Sequence, residues 1–428
     1  MKPLKTLLLV TCCLTLAASH PRATQAQPVD QAVQRIRESA PYKQAAAFAE
    51  SDYDRFVKEL IALTEIPAPP FKEQARGKAY LEMLRQSGLS DVEMDAEGNV
   101  MGVRKGSGAG MVAVLAHLDT VFPEGTDVTV KRQGTRLAAP GIGDNTRGLA
   151  LMLSVIRAMN AGKIVTANDV LFVGNVGEEG EGDLRGAKFL LKKGKYKDRI
   201  KQFIAIDGGE QGGITRGGVG SKRYRVTFKG PGGHSYGAFG LVNPAFAMGK
   251  AIDKFSRLQV PSNPRTTFNV GVVSGGTSVN AIPASVQMDV DLRSESCAEL
   301  SKINDAFLSI VRQAVDDENS ARSTREGKIE ADPKLIGDRP CGETLETAPI
   351  IQLTTAVVKS FGLSPHYEIS STDSNVPMNL GIQAVTIGRG GVSGRAHAPD
   401  EWTDIDRKTA VQATQVAMAV IVAVAGQP

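Results

Sequence analysis

Histidines and acids recur in this chain just after short apolar runs. The run at 111–115 leads into AHLDT, with His117 and Asp119. The run at 170–176 leads into GEEGEG, with Glu178 and Glu179, and the run at 203–206 leads into Asp207. A fourth run, 384–387, precedes a glycine-rich loop that ends at His397, and Asp144 stands in GIGDNTRG ahead of a helical pattern. Imidazole nitrogens and carboxylate oxygens are donors that Zn²⁺ takes, and catalytic sites leave one position for water. A carboxylate has two oxygens and can bridge two ions. His117, Asp144, Glu179, Asp207 and His397 therefore form a reasonable set for two divalent ions, expected to be zinc, with cobalt or manganese as alternatives. Glu178, beside a ligand, is free to take a proton from an attacking water. Asp119, two residues after His117, can accept that histidine's second ring N–H. The chemistry implied is metal-assisted hydrolysis.

Taken singly, each acid reads equally well as a cap, a turn residue or a surface charge, and His117 as a core histidine. Their joint occurrence at strand ends, in a chain with five histidines, favours the metal reading. His234 in GPGGHSYG is either a turn residue or a donor to an oxyanion. Asn280 in GGTSVNAIP and Arg293 in DVDLRS serve either their own domain's hydrogen bonding or a substrate's backbone or carboxylate, which Arg holds by a bidentate fork. GIGDNTRG lacks the Lys-Ser/Thr ending of a phosphate loop and does not sit directly between a strand and a helix, so a nucleotide site is disfavoured.

The four apolar runs read as buried strands, and helices alternate with them, which indicates an α/β fold with a mostly parallel sheet. Such sheets bind ligands beyond the C-terminal ends of their strands. A helix at 146–159 carries Leu149, Met152, Leu153 and Ile156 on one face. Helical patterns at 52–63 and 71–86 flank the IPAPP loop. Residues 217–336 read differently. An alternating strand at 219–229 is followed by a helix at 244–255, opened by Asn243 and Pro244. Strands at 267–273 and 284–292, a helix at 298–315 and a strand near 327–331 complete a β-α-β-β-α-β, ferredoxin-like order. The expected organisation is a catalytic domain split into 51–216 and 337–428, with 217–336 inserted.

Lys2, Lys5 and the apolar run 6–18, followed by small residues, read as a signal peptide over 1–26, with an uncleaved anchor as the alternative. The protein is then secreted or periplasmic. Residues 27–50 read as a loosely held leader, and no later stretch reads as a membrane span. An oxidising compartment permits a Cys297–Cys341 disulfide, and two free thiols are equally open. The formal charge of +4 falls to 47 − 46 = +1 once Lys2, Lys5 and Arg22 are removed. That leaves no basic excess for nucleic acid or an anionic membrane.

The motifs AHLDTV, GIGDNTRG, GNVGEEGEGDLRGA, AIDGG, KGPGGHS, GGTSVNAIP, DLRS and STDSN…RAHAPDEW together resemble the co-catalytic zinc peptidases. That family includes tripeptide aminopeptidase (peptidase T), glutamate carboxypeptidase, aminoacylase and succinyl-diaminopimelate desuccinylase. The resemblance spans about 50–425. It implies that His117 and Asp207 hold one metal, Glu179 and His397 the other, and that Asp144 bridges them through a loop whose peptide to Asn145 is cis. It further implies that Glu178 is the general base, that Asp119 orients His117, and that the inserted domain is a lid and dimerisation surface whose His234 reaches the partner's site. Asp207, where carboxypeptidase- and deacylase-like members tend to carry Glu, points to small peptides with a free N-terminus. A carboxypeptidase or N-acyl-amino-acid amidohydrolase on the same metals is the alternative. A non-catalytic periplasmic peptide- or metal-binding protein is disfavoured by Glu178 beside a complete ligand set.

Overall fold

The computed structural model describes residues 28–427, so the expected signal peptide lies outside the described residues. The four apolar runs become Met111–His117, Asp169–Asn175, Ile200–Gly208 and Gln383–Gly388. They are adjacent and mutually parallel, in the spatial order Asp169–Asn175, Met111–His117, Ile200–Gly208, Gln383–Gly388. Antiparallel Val100–Arg104 and Ser90–Met94 extend one side, and Gly213–Gly218 with Gly342–Glu343 the other. Met111–His117 and Asp169–Asn175 are buried at every position, which explains why they read as apolar runs without alternation.

Helices cover the sheet. Arg147–Ala161 packs against Ala40–Thr64 and against Arg407–Ala425. Residues 28–50 are not a loose leader. They form the helix Pro28–Glu38 and the first part of Ala40–Thr64, capped by Ser39. Their Ala/Gln-rich composition is that of a good helix former, and Tyr42, Ala45 and Ala49 recur on one buried face. Arg407–Ala425 is long and apolar enough to cross a membrane, contrary to expectation, but most of it is buried against the other helices of the core.

A small sheet matters for the site. Ser393–Gly394 pairs with Trp402–Asp404, which pairs with Arg136–Ala138. This ties the His397 loop to the segment leading into Asp144.

Residues 220–339 build a second body with its own apolar cluster, centred on Phe228, Phe255 and Phe307. Its sheet runs Thr266–Gly275, Ser285–Ser294, Gly220–Lys229, Glu330–Arg339, all antiparallel, packed by Pro244–Ser256 and Cys297–Ala321. Asn243 caps Pro244–Ser256 by accepting from the Ala245 N–H. The last strand runs on to Arg339, so the chain returns to the larger body three residues later than the expected boundary. Cys297 and Cys341 form a disulfide, Cα atoms 5.6 Å apart, which resolves the two alternatives for those thiols. It fastens the start of Cys297–Ala321 to the returning chain.

Between Ala40–Thr64 and Arg147–Ala161, Arg157 forks onto Asp52 at 2.7 and 2.8 Å and reaches Glu59 at 2.9 and 3.0 Å, all with little exposure. Arg157→Ala leaves the buried Asp52 carboxylate with only the Ser154 hydroxyl and Glu59 with only Arg55 among the described residues. It is expected to cost about 3–5 kcal/mol, read as a lowered urea midpoint for the larger body. An unchanged midpoint would show that the pair adds nothing.

Candidate metal centre and active-site cleft

The parallel strands end together, and their C-terminal loops bring every expected metal donor to one place. His117 Nε2 lies 3.1 Å from Asp144 Oδ1 and 3.6 Å from Asp207 Oδ1. His397 Nε2 lies 2.8 Å from Glu179 Oε1 and 3.5 Å from Asp144 Oδ2. Asp144 thus gives one oxygen to each group, as a bridging carboxylate must. Ligand bonds of about 2.0–2.1 Å in tetrahedral array put donors about 3.3 Å apart. The donors here match that spacing, so both groups fit a divalent ion.

Local structure explains the placement. Gly177 takes a left-handed φ of 66°, and a Cβ there would strike Arg185, so glycine is required where the chain turns out of Asp169–Asn175 toward Glu178. Asp119 is fully buried. Its carboxylate accepts the N–H of Glu178 at 3.1 Å and of Glu179 at 2.8 Å, fixing both acids at once. The acceptor nearest His117 Nδ1 is the Asp119 backbone carbonyl at 3.0 Å, with the carboxylate at 3.6 Å, so Asp119 orients the ring mainly through its main chain. Either way Nε2 is left facing Asp144 and Asp207. The Asp144–Asn145 peptide is cis.

Charge compensation is extensive. Burial, opposed by Arg339, holds the Glu178 carboxyl well above the usual carboxylate range. Arg339 Nη1 donates to Glu178 Oε1 at 3.2 Å and to Ser371 at 2.9 Å, and its Nη2 bonds the Glu178 carbonyl. Burial pushes Asp144 up, but Arg389, His117 and His397 outweigh it and hold the carboxyl well below its ordinary value. Burial disfavours a charge on His117, yet Asp119, Asp144 and Asp207 together hold its pKa well above the ordinary imidazole value. Hydrogen bonds that His397 donates to the Asp144 and Glu179 carboxylates push its pKa up to about 10.

Sequence reasoning missed three residues. Arg389, directly after Gln383–Gly388, donates to both Asp144 and Asp207. Glu401 accepts the N–H groups of Gly141, Gly143 and Asp144 at 2.7–3.0 Å and so fixes the Asp144 loop. Arg339 is the third. Glu401 lies in the APDEW stretch four residues after His397, which was the available signal; nothing in sequence marked the arginines.

The cleft, about 410 Å³, is lined by Asp144, Glu178, Glu179, Asp207 and His397 on one side and by Arg223, Arg293 and Arg339 on the other. Arg293 is thus in the cleft. His234 and Asn280 do not line it. They sit together on the second body, both exposed, with Ser235 N–H bonded to the Asn280 carbonyl.

A mostly parallel α/β sheet with clustered acids and imidazoles at its C-terminal edge, roofed by a second body, has the make-up of a metal-dependent hydrolase. Residues 113–423 match the profile of Peptidase family M20/M25/M40, and the chain belongs to that family. It is 24% identical over 412 residues to N-carbamoyl-L-amino-acid amidohydrolase of Paenarthrobacter aurescens, covering 83% of this chain and 92% of that one. It is also 24% identical to carboxypeptidase G2 of Pseudomonas sp. (strain RS-16), over 46% of this chain, and there it spans about half (47%) of the relative's length. The fold matches aminopeptidase PepT of Bacillus cereus ATCC 10987 with a TM-score of 0.70 at 20% identity, over 87% of this chain and 99% of that one.

Metal ligands must be neutral imidazoles, and the metal-free site keeps a proton on His397 up to about pH 10. Zinc binding at pH 7 is therefore expected to release protons from His397 and His117, and affinity to rise with pH toward 10. Calorimetry in buffers of different ionisation enthalpy measures this; proton-neutral binding would contradict it. Glu401→Ala frees the Asp144 loop and is expected to lower metal affinity about 10–100-fold with the far-UV CD spectrum intact.

Proposed function

We propose that the protein is a dinuclear metal-dependent hydrolase that removes an N-terminal residue from small peptides, with His117 and Asp207 on one ion, Glu179 and His397 on the other, and Asp144 between them. The observation that carries this reading is the pair of donor groups sharing Asp144, with Glu178 buried beside them. When bound, the ions, expected to be zinc, supply Lewis acidity and acidify water. Glu178 takes the proton of the attacking water and returns it to the leaving amine; its raised affinity for a proton suits both steps. Arg339 holds its carboxylate in place. Arg293 binds the substrate's free carboxylate by its guanidinium.

The second body serves as a lid, since Arg223, Arg293 and Arg339 reach the cleft from it. His234 and Asn280, with the exposed Tyr236, Phe239 and Val279 nearby, face outward, which suits a homodimer in which His234 stabilises the oxyanion in the partner's site. Secretion or export to the periplasm is supported by the N-terminal sequence and by the Cys297–Cys341 disulfide.

A carboxypeptidase or N-acyl-amino-acid amidohydrolase is the second reading. The three arginines favour it, because they suit a carboxylate and offer no partner for a free amine. Ala-Ala-Ala, its N-acetyl form and N-acyl glutamate decide between them. Turnover of the free tripeptide alone supports the aminopeptidase; turnover of blocked substrates alone moves the protein to the second reading. Glu178→Gln is expected to keep both metals and lose about 10²–10⁴-fold in kcat. Near-normal turnover with both metals bound would remove Glu178 from the mechanism.

A further inference from the structure

Arg389 occupies an unusual position for a cation. Its Nη1 lies 3.0 Å from Asp144 Oδ1 and 3.0 Å from Asp207 Oδ1. Those two oxygens, with His117 Nε2, are the donors of one metal group. The other group, Asp144 Oδ2, Glu179 and His397, touches no arginine through Glu179 or His397 among the described residues; the nearby Arg339 spends its hydrogen bonds on Glu178 and Ser371. The backbone of Arg389 is fixed. Its N–H donates to the Gly208 carbonyl at 3.0 Å, and its own carbonyl accepts from Arg147 Nε at 3.2 Å. Arg147 is buried and anchored on Thr403 and the Asp404 carbonyl. The Arg389 side chain is 8% exposed, and its Nε has no hydrogen-bond partner among the described residues. Nor can a guanidinium escape by losing its proton, as a lysine or histidine could.

We infer that Arg389 makes the two metal positions unequal, weakening the His117–Asp144–Asp207 position relative to the Glu179–His397 position by placing a permanent charge on its carboxylates. This rests on the dinuclear reading above. Two carboxylates and one imidazole would give an arriving dication a formal charge of −2. Arg389 cuts that to −1 and repels the ion across a few ångströms of low-dielectric protein, where such terms are large. The competing role for a hydrogen-bonded neighbour is to orient the ligands and so raise affinity. The two roles predict opposite signs.

The test is calorimetric titration of the metal-free full chain with zinc, repeated with cobalt and followed by its absorption bands. The wild-type chain is expected to bind two ions in two separable steps, the weaker at the His117 position. Arg389→Met, and Arg389→Gln as a second neutral variant should the first not fold, are expected to tighten the weak step about tenfold or more. They should leave the tight step within about threefold, whereas Arg389→Lys, whose charge can be lost with its proton, should tighten the weak step by less than the neutral variants do. Weakened or unchanged binding of the second ion in the neutral variants overturns the inference and assigns Arg389 to ligand orientation or to folding. Failure of the wild-type chain to bind two ions would instead overturn the dinuclear reading itself.

Discussion

Like charge crowded into one buried cleft is the constraint on which this structure depends. Asp119, Asp144, Glu178, Glu179 and Asp207 converge at the edge of a single sheet, and Asp119, Glu178 and Glu179 are almost wholly buried. Carboxylates so placed cannot all stay ionised without compensation. The protein compensates in three ways. Backbone N–H groups neutralise Asp119, which thereby becomes the bracket for the Glu178–Glu179 turn. Histidines pair with Asp144, Glu179 and Asp207. Arg339 and Arg389 supply permanent positive charge. What compensation remains is left for divalent ions, and that residual demand is what a metal centre is.

The returning chain links this charge balance to the second body. Arg339 is the last residue of that body's edge strand, yet its guanidinium lies on Glu178 in the larger body. Two residues on, Cys341 is tied to Cys297 at the start of the long helix of the second body. Arg223, from the neighbouring strand, bonds the Gly180 carbonyl just after the acids. The roof of the cleft therefore touches the acid-bearing loop directly.

Much of the fold was legible because burial writes itself into composition. Met111–His117 and Asp169–Asn175 are buried throughout, as are positions 203–206 and 384–387 of the other two central strands, so these sequences are continuous apolar runs, and the second body's strand Gly220–Lys229 is partly exposed, so its sequence alternates. The N-terminal helices were misread because alanine and glutamine carry little hydrophobic signal, although they form good helices and pack closely. The buried apolar helix Arg407–Ala425 shows the reverse difficulty: composition cannot say whether its apolar surface meets lipid or other helices.

The sequence by itself determined the candidate donor set, because metal and proton chemistry needs particular residue types, and those types sit in loops next to unmistakable strands. It also determined that His117, Glu178, Glu179, Asp207 and His397 would share one sheet edge, since parallel strands all end on the same side. Only the tertiary structure decided how the charge is balanced. Arg389 follows Asp144 by 245 residues and Arg339 follows Glu178 by 161, and an arginine in sequence looks the same whether it faces water or a buried carboxylate. The separation of His234 and Asn280 from the cleft was likewise settled in three dimensions, because it depends on which way the second body faces, and that is set by packing rather than by local pattern.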